Sequence, residues 1–166
     1  KEGSKLAVLG PLAFARDDLI SDYGNGKWRR QNACWNGPPE NASQSSDFCI
    51  PTVAAALATA HARSGGTTTS APGCDVDSNS TAGQAAALAL ADAADEVILV
   101  LGFGHDQARE GKDPLDTTLP GRQGLFAEAV MALGKPTTVV LIGGGALAID
   151  DQLNAKPGPG AVVQAF

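Results

Sequence analysis

Four nearly unbroken apolar runs constrain this chain more than any other feature: "KLAVLG" (5–10), "DEVILVLG" (95–102), "PTTVVLIGG" (136–144) and "GAVVQAF" (160–166). All but the last end in glycine. A strand that faces water on one side alternates apolar with polar residues, whereas one buried on both faces reads as a continuous run. Between the runs lie helical patterns. "PTVAAALATAHARSGG" (51–66) offers Pro51 for a first turn and a glycine pair for the stop. "TAGQAAALALADAADE" (81–96) sets Thr81 and Gln84 at capping-box spacing and is apolar almost all round, which predicts a well-buried helix. "GRQGLFAEAVMALGKP" (121–136) puts Leu125, Phe126, Ala129, Val130 and Leu133 on one face, with Gly134 and Pro136 to end it.

Strand and helix therefore alternate, and the expected fold class is α/β: a mostly parallel sheet of about five or six strands sandwiched between helices. "TTTSAPG" (67–73) is a candidate short strand. At 166 residues the chain suits a single domain with a proper core. Residues 24–48, polar and rich in Gly, Asn and Ser with Trp28 and Trp35 among them, read as a surface insert. In such a sheet the functional crevice lies at the carboxyl ends of the strands. Three loops converge there: "GPLAFARDD" after the first run, "GHDQAREGKDPLDTTLPGRQ" after the second and "GGGALAIDD" after the third.

Composition excludes several classes. A net charge of −6, with "KWRR" as the densest basic cluster, leaves no footprint for nucleic acid. No apolar run approaches the roughly 20 residues of a membrane span. Lys1 opens without a signal peptide, so any targeting segment is absent or already removed. Cys34, Cys49 and Cys74 lack CxxC spacing and, with only His61 and His105 available, make no zinc site. His61 reads as a helix-surface residue. "LGFGHDQ" lacks the third glycine of a dinucleotide fingerprint, "IGGGALAID" lacks the Lys-Ser/Thr of a phosphate loop, and no G-x-S-x-G elbow exists. Sequons at Asn41 and Asn79, lying in polar stretches beside cysteines, tilt the chain toward the secretory pathway: secreted, extracellular or vacuolar–lysosomal. Cys34–Cys49 is the favoured disulfide because it closes the insert, although spacing does not decide among the three cysteines, and Cys74 is left unpaired or bonded to a partner chain.

Glu110 and Asp113, in a Glu-Gly-x-Asp tetrapeptide, would ordinarily be a solvated turn. Their surroundings say more. "EGKDPLDTTLPGRQ" aligns without a gap with the approximate pattern E-G-x-D-R-x-x-L-x-L-P-G-x-Q. "GKPTTVVLIGGGALAID" then follows G-K-P-x-V-V-V-L-x-x-G-x-P-L-x-I-D. "KLAVLGPLA", "DLISDYG", "CIPTVAAAL" and "APGCDV" fall in the same order ahead of them. The series resembles the C-terminal α/β sandwich domain of glycoside hydrolase family 3, the β-glucosidases and β-xylosidases, over nearly the whole chain outside 27–48.

The resemblance implies a retaining glycosidase that needs no cofactor and no metal. Its aspartate nucleophile would come from an N-terminal barrel domain of the same protein, and a β-linked sugar or glycan would lie between the two domains. Glu110 matches the acid/base glutamate. Asp113 would position the loop or a sugar hydroxyl, with His105 and Asp106 beside it to orient a ligand; "GHDQ" resembles the G-x-D-Q of xylosidase-like members. Two departures stand out. Pro114 occupies the place of the family's arginine, and Phe166 falls where the family continues to a further helix, so the domain is expected to be incomplete at its C-terminus and inactive alone. The alternative is a degenerate family 3 domain that serves as a structural or interaction part of a glycoprotein assembly. A third possibility, an unrelated nucleotide-binding α/β domain, is disfavoured by the missing phosphate fingerprint.

Overall fold

A computed structural model describes residues 3–19, 50–154 and 157–165. The expected alternation is present. Strand β1 (Lys5–Leu9) leads through two 3₁₀ turns (Pro11–Phe14 and Asp17–Leu19). Then follow α1 (Val53–Ala62), β2 (Thr67–Ala71), α2 (Gln84–Asp92), β3 (Glu96–Gly102), α3 (Gln123–Met131), β4 (Thr137–Ile142), α4 (Asp150–Asn154) and β5 (Ala161–Ala165). The five strands form one sheet in the order β2-β1-β3-β4-β5, parallel throughout.

The unbroken apolar runs follow from burial on both faces. Ala7, Leu9, Val97, Leu99, Leu101, Val139 and Leu141 pack with Ala87 and Ala91 of α2 and Phe126, Ala127 and Val130 of α3. The alternate residues Leu6, Val8, Val100 and Ile142 pack on the opposite face with Leu12, Ala13 and Ala54. Successive side chains of a strand point to opposite faces, so a two-sided core demands apolar residues at every step. The outer strands differ: β2 is half-exposed, and all five residues of β5 are exposed.

The helices depart from their expected details. Pro51 stays outside α1; Thr52 is the N-cap, and its hydroxyl accepts the Ala55 N–H at 3.1 Å. Helix α2 has no capping box. Gly83 stands before its first turn at φ 85°, so Gln84 is the first helical residue and cannot reach back from the third. Nor is α2 well buried: Ala87 and Ala91 are inside, Leu88 and Leu90 half-buried, and Ala85, Ala86 and Ala89 exposed. Its low polarity reflects alanine, which costs little in water. In α3 the inner stripe is Gln123, Phe126, Ala127, Val130 and Met131, while Leu125 points outward at 54% exposure. A polar residue takes the inner position because its bonding capacity is satisfied there. The expected insert at 24–48 lies outside the described residues, as do Trp28 and Trp35.

Candidate functional site

The glycines that close the strands are steric requirements of this edge. Gly10 (φ 118°) follows β1, and a Cβ there would sit 2.1 Å from Val100 O. Gly102 (φ 134°) ends β3, and its Cβ would meet Ile142 O at 1.9 Å. Only glycine lets adjacent strand ends approach so closely in that backbone conformation. Between β1 and β3 the chain direction across the sheet reverses, since β1 connects to β2 on one side and β3 to β4 on the other. Ligand crevices form at this kind of switch point.

A cavity of about 440 Å³ opens at this edge. Asp18 and Leu19 line it from the loop after β1, Phe103 to Pro114 supply part of the loop after β3, and Gly143 to Gly145 come from the loop after β4. The three converging loops expected from the sequence therefore meet. The Ala148 N–H donates to Thr117 O at 2.7 Å, which ties the later part of the β3 loop to the loop after β4.

Behind the cavity, Gln123 is fully buried. Its Oε1 accepts the Gly102 N–H at 2.8 Å, and its Nε2 donates to Gly102 O and Val76 O, each at 2.8 Å. Strand β1 pairs with β3 only as far as Leu9 opposite Leu99. The Phe103 N–H turns to Ile142 O, and the Gln123 carboxamide takes the Gly102 groups. Buried backbone groups must find such partners.

The loop after β3 folds upon itself. The N–H groups of Gln107 and Ala108 donate to Gly104 O, at 2.9 and 3.0 Å. Arg109 and Lys112 then exchange backbone bonds at 3.0 and 2.9 Å, closing a turn with Glu110 and Gly111 at its tip. Gly111 has φ 75°, the requirement of a type II turn at its third position, and among the described residues no non-glycine residue has positive φ. The Glu-Gly pair thus sets a carboxylate at the apex of a tight turn, where Glu110 is exposed and lines the cavity. Within the loop, Arg109 Nη1 donates to His105 O at 3.2 Å, and Lys112 Nζ donates to Asp106 O. From outside it, Asp18 Oδ1 accepts the His105 N–H at 2.6 Å.

The sequence-derived candidates divide accordingly. Glu110, Asp113 and His105 line the cavity together. Asp106 is not among the lining residues; its exposed carboxylate lies 3.4 Å from Arg109 Nη1. Pro114 also lines the cavity. Asn79 is exposed in the loop between β2 and α2. Asn41, Cys34 and Cys49 lie outside the described residues. Cys74 is a free, buried thiol. Burial and then the nearby Asp75 charge push its pKa up to about 11, with Arg122 opposing them. His61 is more than a surface residue: its ring nitrogens bond Ser4 Oγ at 2.9 Å and Thr68 Oγ1 at 3.0 Å. Among the described residues no group of three His, Cys, Asp or Glu side chains could hold a metal ion, and no helix is long and apolar enough to cross a membrane.

Two residues of the site escaped sequence reading. Gln123 carried a visible mark, being a polar side chain at the start of an apolar helix. Asp18, inside "ARDDL", carried none, since an aspartate in a loop is most often solvated.

Residues 1–166 match the family model of the glycosyl hydrolase family 3 C-terminal domain. An exo-1,4-beta-xylosidase of Emericella nidulans is 33% identical over 165 residues, 99% of this chain and 18% of that protein. Probable beta-D-xylosidase 7 of Arabidopsis thaliana is 32% identical over 152 residues, 91% of this chain and 17% of the relative. Among solved structures, a family 3 exo-beta-xylosidase in complex with a xylobiose aziridine activity-based probe superposes with TM-score 0.68 at 25% identity, over 94% of this chain and 17% of the other. A beta-glucosidase from Erythrobacter marinus shares the fold, with TM-score 0.72 at 24% identity over 99% of this chain and 22% of its own. The chain thus spans less than a quarter of each of these proteins.

Proposed function

Because the chain belongs to the glycosyl hydrolase family 3 C-terminal domain family, we propose that it is the second domain of a retaining β-glycosidase and supplies the acid/base carboxyl through Glu110. The observation that carries this reading is the position of Glu110 at the tip of a tight turn, lining the cavity at the carboxyl edge of the sheet. Retaining glycosidases place two carboxyl groups about 5–5.5 Å apart on opposite sides of the scissile bond. The aspartate nucleophile would come from a barrel domain of the same polypeptide. Glu110 would protonate the glycosidic oxygen as the leaving group departs, and then deprotonate the water that releases the sugar. Docking of the barrel over the cavity would enclose the Glu110 carboxyl beside the scissile bond, opposite the nucleophile.

The full-length relatives reported above are named as β-xylosidases, which supports a terminal β-linked xylosyl residue ahead of a glucosyl one. Asp113 and His105 would hold sugar hydroxyls. Passage through the secretory pathway, with glycans at Asn41 and Asn79 and a Cys34–Cys49 disulfide, belongs to the same proposal. The decisive experiment is Glu110→Gln in the polypeptide that also carries the barrel. Loss of the proton donor should cut turnover of xylobiose far more than that of a dinitrophenyl xyloside, whose leaving group needs no proton. Equal losses on both substrates would remove the acid role.

A second reading has one observation in its favour. Pro114 stands where the family carries an arginine, and proline offers neither a charge nor a donor to a sugar. A degenerate domain of this kind would bind without hydrolysing, and the full-length protein would then leave xylobiose and aryl xylosides intact.

A further inference from the structure

We infer that Asp18 is a positioning residue of the Glu110 turn, an inference that rests on the acid/base reading of Glu110. Several hydrogen bonds lie within the segment from Gly104 to Lys112. Gly104 O accepts from Gln107 and Ala108, Gln107 Oε1 accepts the Gly104 N–H at 3.2 Å, and Arg109 and Lys112 close the turn. Such a segment moves as one body, and its attitude to the sheet is set where it is tied to other elements. One tie is the covalent exit from β3. Another is the Asp18 carboxylate, which belongs to the 3₁₀ turn Asp17–Leu19 after β1 and accepts the His105 N–H at 2.6 Å. That bond crosses the switch point between β1 and β3. It is charge-assisted and half-buried, the kind that holds geometry best.

Gly104 fits the same device. A Cβ there would lie 2.9 Å from Asp18 Oδ1 and 3.1 Å from Gln107 Oε1, so a side chain would push both acceptors away. Asp18 itself lines the cavity from the wall formed by the loop after β1. By fixing the first turn of the loop, it fixes how far the Glu110 tip, five residues on, projects toward a sugar. A misplacement of about 1 Å at a proton donor is enough to cost orders of magnitude in rate.

The test uses the polypeptide that carries both domains, with the variants Asp18→Ala, Asp18→Asn, Gly104→Ala and Glu110→Gln. Asp18→Ala should lower xylobiose turnover by about tenfold to a hundredfold, the rate equivalent of one lost hydrogen bond to a charged group. Turnover of the dinitrophenyl xyloside should stay within about threefold, repeating the Glu110→Gln pattern in milder form. Asp18→Asn, which keeps an acceptor oxygen, should restore most of the rate. Gly104→Ala should reproduce the defect, and the Asp18→Ala/Gly104→Ala double variant should be no worse than Asp18→Ala alone. Exchange of the His105 amide should accelerate in Asp18→Ala and Gly104→Ala but not in Asp18→Asn. An unchanged His105 amide, or an equal loss on both substrates that Asp18→Asn does not relieve, would overturn the inference. If Glu110→Gln shows no split between substrates while the His105 amide is deprotected in Asp18→Ala, the acid/base reading fails and the tie between the loops stands. Should Asp18→Ala not fold, Gly104→Ala and Asp18→Asn decide by the same readouts.

Discussion

Gln123 grips Gly102 by both of that residue's backbone polar groups, the N–H and the C=O, each at 2.8 Å. One carboxamide therefore finishes the end of β3 at the point where β1 has already turned away, and its remaining N–H secures Val76 O. Replacing it with leucine would fill the space but strand the two buried Gly102 groups and the half-buried Val76 O. Replacing it with alanine would add a cavity. Each change should cost about 2–5 kcal/mol, the range for unsatisfied buried groups and truncated core side chains. Gln123→Glu should be intermediate, because an ionised carboxylate accepts the Gly102 N–H but donates to neither carbonyl. Urea unfolding followed by circular dichroism checks the order; a midpoint unchanged in Gln123→Leu would refute the role.

The strand-end glycines make a second prediction separable from the first. Gly102→Ala would place a Cβ 1.9 Å from Ile142 O with φ near 134°, so backbone must move in β3 or β4. Gly134 also has positive φ, at 71°, but nothing lies within 4 Å of a Cβ there. Gly134→Ala should therefore cost only about 1 kcal/mol of left-handed strain. Gly102→Ala should fail to fold or lose several times that amount. Thermal melts of the two variants side by side measure the difference, and equal Tm values would show that β3 and β4 part more easily than this packing implies.

The sheet was legible because its interior is two-sided: a run such as "DEVILVLG" leaves no polar face for water, and the alternating helices follow from parallel pairing. Helix burial was less legible. Alanine fits inside and outside alike, so α2 reads as buried when Ala85, Ala86 and Ala89 face solvent. The stripe of α3 was displaced for a different reason. Gln123 ranks as polar in any pattern, and only the open Gly102 groups beside it make the inner position favourable. For the site, Glu-Gly-x-Asp alone reads as a solvated turn, and only the ordered motifs around it single out Glu110; the positive φ of Gly111 then shapes the turn that presents it. The Asp18–His105 bond joins residues 87 apart in sequence, and no local pattern encodes such a partnership.

Cys74 gives a prediction in pH. Its thiol is pushed up to about 11 from an ordinary value of 9.0, chiefly by burial, so the fold prefers the protonated form. The associated stability is fully present below pH 9, falls as pH rises toward about 11, and is lost above it, because over that window the unfolded chain releases a proton the folded chain retains. Cys74→Ala should flatten this part of the stability–pH profile while costing some packing. The native thiol should also resist iodoacetamide at pH 7.5 until denaturant is added, since the thiolate is the nucleophile. Rapid labelling at Cys74 in the folded protein at that pH, located by peptide mapping, would contradict the buried, protonated state.

Asn79 tests the compartment independently of catalysis. Its loop is braced by neighbours rather than by the asparagine. Ser78 Oγ donates to Asp75 Oδ2 at 2.7 Å and accepts the Ser80 N–H at 3.2 Å, while Ser80 Oγ accepts the Ala82 N–H at 3.1 Å. The side chain of Asn79 is exposed, as a glycan acceptor must be. Asn79→Gln should therefore leave the melting temperature of the unglycosylated protein unchanged. Protein made in a secretory eukaryotic host should lose mass on endoglycosidase treatment, and Asn79→Gln should remove part of that loss. If treatment changes no mass, the two sequons are accidents of composition. The proposed passage through the secretory pathway would then have to rest on the Cys34–Cys49 pair alone.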